Sequence, residues 1–151
     1  MSDYILVTPG EAERSRFHGA KLALFLGHEL AVILRDERDD IPWPGHWDLP
    51  GGGREGVESP EACALRELNE ELGLRLSESD LSYARAYHRG GMVYWFFAAR
   101  MPGRLAEEIE FGAEGQSWKL MPAAEYLSHV KAVPQFQARL RDYLSASNAV
   151  T

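Results

Sequence analysis

Four apolar-rich runs set the frame of the chain. "GAKLALFLG" (19–27) and "LAVILRD" (30–36) read as two strands of a hairpin around Gly27-His28-Glu29. "LSYARAYHR" (81–89) and "MVYWFFAAR" (92–100) read as a second hairpin around Gly90-Gly91, and the near-continuous apolarity of the latter marks a central strand. "GQSWKLM" (115–121) adds a short strand. A helix is predicted from the N-cap Ser59, with Pro60 opening it and Gly73 ending it. On it Leu65, Leu68 and Leu72 gather on one face. "PAAEYLSH" (122–129) and "PQFQARLRDYLSA" (134–146) open on prolines and read as further helices. Between strands, "DERDDIPWPGHW" (36–47) is a charged, then Pro/Gly-rich loop. "DLPGGGREG" (48–56), broken by Pro50 and four glycines, is expected to hold no regular structure. Strands and helices mix without regular βαβ alternation, so the class is α+β with a mixed sheet.

Composition changes this picture little. The 151 residues are expected to form one domain, with residues 1–15 and 146–151 as loosely held tails. The formal net charge of −7 gives little electrostatic support to coating nucleic acid. No apolar run approaches a membrane span, and the lone Cys63 fits a reducing, cytoplasmic setting. Five scattered histidines show no zinc-ligand spacing. Trp95 and Trp118 are expected in the core and Cys63 as a small packing residue; for Trp43, in a Pro-rich loop, the edge of a pocket is the alternative to a plain structural role.

The chemistry concentrates in "RELNEELGL" (66–74). At about 100° per residue, Glu70 and Glu71 fall roughly 60° and 40° to either side of Glu67. Three carboxylates so placed repel one another unless a cation lies between them. Hard oxygen ligands on one helix face suit Mg²⁺ or Mn²⁺. The glycine-rich loop before the helix, Gly52 included, lets backbone approach a phosphate or metal closely. Metal-assisted hydrolysis of a phosphoanhydride is the reaction class that follows. Arg35, at the end of a strand, and Arg54, in the glycine loop, are the candidate phosphate contacts.

Extended leftward, the stretch reads "GGREGVESPEACALRELNEELGL" (52–74). Gly52, Glu58, Arg66-Glu67-Leu68, Glu70-Glu71 and Gly73-Leu74 stand at the spacings of G-x5-E-x7-R-E-U-x-E-E-x-G-U, where U is a bulky aliphatic. This resembles the Nudix box, with every specified position filled, and the preceding "WDLPGG" fits the same family. The resemblance implies a Nudix-type α/β/α sandwich. It implies Glu70 and Glu71 as the metal pair, the Gly51 carbonyl as a backbone ligand, and Glu67 as a further ligand or general base. Glu58 and Arg66 become the electrostatic support of the loop–helix unit. A fourth acid from outside the box is Glu114, because "AEGQSW" (113–118) resembles a stretch of MutT-type members; Glu108 and Glu110 are the alternatives.

For substrate, the resemblance points to a MutT-like hydrolase of a nucleoside triphosphate or another nucleoside diphosphate derivative, acting as a monomer or homodimer. The proline of ADP-ribose-type members is missing, with none before Pro102. Tyr87 and Tyr94 straddle, without matching, the tyrosine of diadenosine-polyphosphate types. Ala132 stands where MutT itself has a base-reading asparagine. A hydrolase of a nucleotide sugar or a non-nucleotide diphosphate, and a nucleotide sensor without turnover, are the alternatives.

Overall fold

The computed structural model describes residues 5–6 and 10–150. The strands are β1 (Ile5–Leu6), β2 (Gly19–Leu26), β3 (Glu29–Leu34), β4 (Trp47–Asp48), β5 (Gly51–Gly53), β6 (Leu81–Arg89), β7 (Met92–Met101) and β8 (Ser117–Pro122). The helices are α1 (Glu11–Ser15), α2 (Pro60–Leu72), α3 (Ala123–Ser128) and α4 (Pro134–Val150), with 3₁₀ turns at Glu78–Asp80 and Gly103–Glu108. The sheet runs β1-β6-β7-β2-β3-β4, with β5 also paired to β2 and β8 to β3. It is mixed, since β2 and β7 are parallel while β6 and β7 are antiparallel.

The period-two pleat of β2 sorts its side chains to two cores. Leu22, Leu24 and Leu26 face Cys63, Ala64, Leu68 and Leu72 of α2. Ala23 and Phe25 face Tyr126 of α3 and Phe136, Leu140 and Tyr143 of α4. The result is the expected α+β sandwich, helices on both faces of one mixed sheet. Leu68 and Leu72 are wholly buried, and each contributes roughly 1.5–3 kcal/mol to holding α2 in place.

Three expectations need correction. Gly51–Gly53, read as irregular, is a strand paired antiparallel with Gly19–Lys21. The glycines permit it: a Cβ on Gly51, at φ +135°, would lie 2.2 Å from the Ala20 carbonyl oxygen. Residues 11–15, read as part of a loose tail, form α1, which the Arg14–Glu61 ion pair (2.7 Å) and a Trp95 Nε1 bond to the Glu13 carbonyl (2.8 Å) tie to the body. α4 runs to Val150 rather than 146. The rest of the expected tails, residues 1–4, 7–9 and 151, lies outside the described residues.

What positions the site is a split in the sheet. β3 pairs with β2 only at Phe25 and Leu26; upstream, β5 takes that edge of β2 at Gly19–Lys21. β3 meanwhile continues with β4 and β8. The glycine strand is thereby carried under α2, against Cys63, Glu67 and Glu71.

Candidate active site

The helix that carries the acids starts where its cap chemistry demands. Ser59 Oγ accepts from the Ala62 N–H (3.1 Å), Pro60 follows, and Gly73 closes the helix in the left-handed region. Its polar face meets the glycine strand at two points. The Gly51 N–H donates to Glu71 Oε1 at 2.8 Å. Gly52 abuts Glu67 so closely that a Cβ there would lie 2.5 Å from Glu67 Oε1.

Arg66 organises the outer acids. Its Nε and Nη2 grip both oxygens of Glu58 (3.0 and 2.9 Å), and Nη2 also donates to the Gly53 carbonyl (2.8 Å). Nη1 reaches Glu67 Oε2 at 3.0 Å, Glu70 Oε2 at 2.5 Å and Glu55 Oε2 at 3.2 Å. A guanidinium fork suits this multidentate role, which a lysine ammonium would not match. The Arg66 hydrogen bonds hold the Glu58 carboxyl below its usual range, and Glu58 in turn strengthens the hold of Arg66 on its proton.

The acids divide into an outer and an inner group. Carboxylate oxygens of Glu55, Glu67 and Glu70 lie within 4.8 Å of one another. All are hard oxygen donors, so a divalent cation such as Mg²⁺ fits the set. Glu71 lies deeper. Burial pushes its carboxyl up to about 8, against the pull of Lys21 and the Gly51 N–H, and Asp48 and Glu67 push the same way. Burial also raises Glu67, less its bonds to Arg66. Cys63 is buried in the core, its thiol pushed up to about 12 by burial, which suits packing and not nucleophilic attack.

Glu114 shares a cleft of about 290 Å³ with Glu71, Asp48 and Arg35. The preceding segment is pinned to the end of α2: the Glu110 N–H donates to the Leu72 carbonyl (2.9 Å) and the Gly112 N–H to the Glu71 carbonyl (2.8 Å). Only glycine fits at 112, because a Cβ there would lie 2.3 Å from the Glu70 carbonyl oxygen. Glu108 and Glu110 are exposed and do not line this cleft.

Of the two candidate arginines, only Arg35 faces the acids. Its Nη1 pairs with Asp48 at 2.8 Å and its Nε donates to the Pro42 carbonyl. Arg54 turns the other way, stacking 4.4 Å from the Phe17 ring centroid and donating to the Ser15 carbonyl (2.9 Å). Trp43 is exposed and borders a cleft with Lys21, Arg35 and Asp48, which is the alternative its loop position left open. Trp95 is wholly buried, whereas Trp118 is only partly buried against the core.

Sequence reasoning missed three participants. Glu55 occupies an unspecified position of the motif, so its type carried no signal. Lys21 and Asp48 are brought together by the sheet: Lys21 Nζ donates to Asp48 Oδ2 (3.1 Å), the Leu49 carbonyl (3.1 Å) and the Gly51 carbonyl (2.9 Å). A charged residue within the apolar run 19–27 was the available clue. The lysine already bonds the carbonyl that the resemblance implies as a metal ligand; a carbonyl oxygen has a second lone pair to offer.

A family model described as the NUDIX domain matches residues 17–144. The chain belongs to the Nudix family. A MutT-like protein of Streptomyces ambofaciens is 30% identical to this Nudix chain over 127 residues, spanning 83% of it and 79% of that protein. Among solved structures, a MutT protein from Methanosarcina mazei Go1 superposes with a TM-score of 0.67 at 16% identity, covering 97% of this chain and 96% of that one. A C. elegans Ap4A hydrolase gives 0.66 at 19% identity, covering 88% and 99%. At such identities the two structures speak for the Nudix fold. Membership makes the chain a hydrolase of phosphoanhydride substrates, a pyrophosphohydrolase. Among the described residues, no helix is long and apolar enough to cross a membrane.

Proposed function

We propose that this Nudix hydrolase cleaves a phosphoanhydride bond in a nucleoside diphosphate derivative, with MutT-like release of pyrophosphate from a nucleoside triphosphate as the leading case. The observation that carries the reading is the triad of Glu55, Glu67 and Glu70, whose carboxylate oxygens lie within 4.8 Å of one another beside the glycine strand. Glu55, Glu67, Glu70 and Glu71 are the residues that would hold Mg²⁺ or Mn²⁺. Bound there, the ion supplies polarisation of a phosphoryl oxygen and an acidified water.

The chain's own groups do the rest. Glu67 Oε2 is tied to Arg66 (3.0 Å), which leaves Oε1 beside Gly52 to take the proton of the attacking water. The Glu58–Arg66 clamp fixes the carboxylates in place. Arg35 and Glu114 line the inner cleft, where Arg35 meets the phosphates and Glu114 supplies an acid from outside the box. The lone, buried Cys63 supports a reducing cytoplasm as the working compartment, and small molecules rather than nucleic acid as substrates follow from the net charge of −7.

One observation favours a second reading. Ala132 is buried against the Trp47 backbone and offers no hydrogen-bonding side chain at the position of the MutT asparagine. A nucleotide sugar or another small diphosphate is therefore the alternative substrate. A phosphate- and pyrophosphate-release screen with Mg²⁺ across nucleoside triphosphates, nucleotide sugars and non-nucleotide diphosphates tests both. Turnover of triphosphates supports the first reading and turnover confined to the other classes the second. Binding without turnover in any class would make the chain a sensor.

A further inference from the structure

Beside the Gly52–Gly53 backbone lies a cavity of about 210 Å³, with Arg89, Tyr94, Phe136 and Arg139 among its lining residues. Arg139 is the anomaly there. It is only 6% exposed, and its guanidinium is packed against the rings of Tyr87, Phe136 and Tyr94, 4.7, 5.7 and 5.9 Å from their centroids. A buried arginine ordinarily has a carboxylate to neutralise it. Among the described residues Arg139 has no hydrogen bond and no ion pair, and it lines the cavity. Asp142, the acid that most bears on it, is already engaged by the Tyr87 hydroxyl (2.7 Å) and by Arg85 (3.5 Å). Burial lowers the proton affinity of Arg139, and the charge of Arg89 lowers it further.

Two like charges on one aromatic-walled cavity, neither paired within the described residues, are suited to an oxyanion. The cavity also leads to the acids. Lys21, Arg89 and Phe136 line both it and the neighbouring cleft that contains Arg35 and Asp48. Arg35 and Asp48 in turn line the cleft of Glu71 and Glu114.

We propose that this cavity seats a second oxyanion of the substrate, a phosphate or a carboxylate, carried by the part of the molecule remote from the scissile anhydride. The inference rests on the phosphoanhydride-hydrolase reading above and adds a substrate class to it: diphosphates bearing an extra negative group. A neutral base would stack on Phe136 but leave the buried Arg139 guanidinium uncompensated.

Two matched pairs separate the sources of the oxyanion: ADP-ribose with its 2′-phosphate derivative, and UDP-glucose with UDP-glucuronate. Equilibrium titration of the wild-type chain in chelator reads binding apart from turnover. The phosphate-bearing or the carboxylate-bearing member should bind at least about tenfold more tightly than its neutral counterpart, roughly 1.4 kcal/mol. Arg139→Met and Arg89→Gln should each cut that ratio to about threefold or less; Arg89 is exposed, so its variant tests the idea even where Arg139→Met fails to fold. Equal affinities within both pairs, no binding of any of the four, or a ratio untouched by Arg89→Gln in a folded chain would overturn the proposal. Tight binding of an anionic member with no hydrolysis in Mg²⁺ would instead sink the enzymatic reading and leave the anion site standing.

Discussion

Lys21 Nζ sits 2.9 Å from the carbonyl oxygen of Gly51, the residue whose N–H holds Glu71. One ammonium therefore ties β2, the glycine strand and the Asp48 carboxylate into a single polar joint, three-quarters or more shielded from solvent. Lys21→Met keeps the aliphatic stem but removes the ammonium from two carbonyls and leaves Asp48 with Arg35 and the Leu49 N–H. The loss in unfolding free energy should be about 2 kcal/mol. Urea denaturation measures it, and a loss under about 0.5 kcal/mol would show that the joint is dispensable.

The metal dependence follows from the acid face. Hydrolysis should need Mg²⁺ or Mn²⁺ and stop in chelator. Glu70→Gln and Glu71→Gln preserve shape while deleting a ligand charge, and each should lower kcat by about a hundredfold or more. Glu55→Gln, on an exposed loop, should mainly raise the Mg²⁺ concentration needed for half-maximal rate. Full activity in chelator would remove the metal from the mechanism.

Glu71 makes metal-free stability depend on pH in an unusual direction. Its folded-state pKa of about 8 stands above the ordinary carboxylate value of 4.5, so the fold favours the protonated form. The contribution of this group is fully present below pH 4.5, and it declines as pH rises through about 8. In chelator, Glu71→Gln should thus gain stability relative to wild type across that window. Melting curves of both chains at pH 5 and pH 8.5 compare the two; a difference that does not grow with pH refutes the assignment.

Glu114 and its neighbours differ in where the Gly112 contact with α2 places them. Glu114→Gln should lower kcat at saturating metal by at least tenfold, whereas Glu108→Gln and Glu110→Gln should change it less than threefold. These thresholds correspond to about 1.4 and 0.6 kcal/mol in the barrier. The structural role of Glu110 is played by its main-chain N–H, which the substitution leaves intact. A larger effect at Glu110 than at Glu114 would mean that the wrong acid has been chosen.

The acids of α2 were legible because cap, helix period and motif spacing are all local. Ser59, Pro60 and Gly73 bound the helix where their backbone preferences place them. β6 likewise spans the expected 81–89. What escaped the sequence was set by distant partners. The glycine strand is set by its neighbours: β2 leaves no room for a side chain at Gly51, and Glu67 of α2 leaves none at Gly52. Arg54 reads as a phosphate contact from its loop, yet Phe17 and Ser15 claim it. Arg139 looks like one more polar position of an amphipathic helix until Tyr87 and Tyr94 of another hairpin close over it.

Arg66 carries a consequence for the life history of the molecule. Because its guanidinium already contacts Glu55, Glu58, Glu67 and Glu70, these carboxylates have a resident counter-charge once α2 and the loop before it are in place. Folding should therefore not require a divalent cation, and removing one should leave the fold intact. Loading of a divalent cation would then be a late, reversible event set by the free cation in the surrounding fluid, for which Arg66 would have to yield part of its grip on the acids.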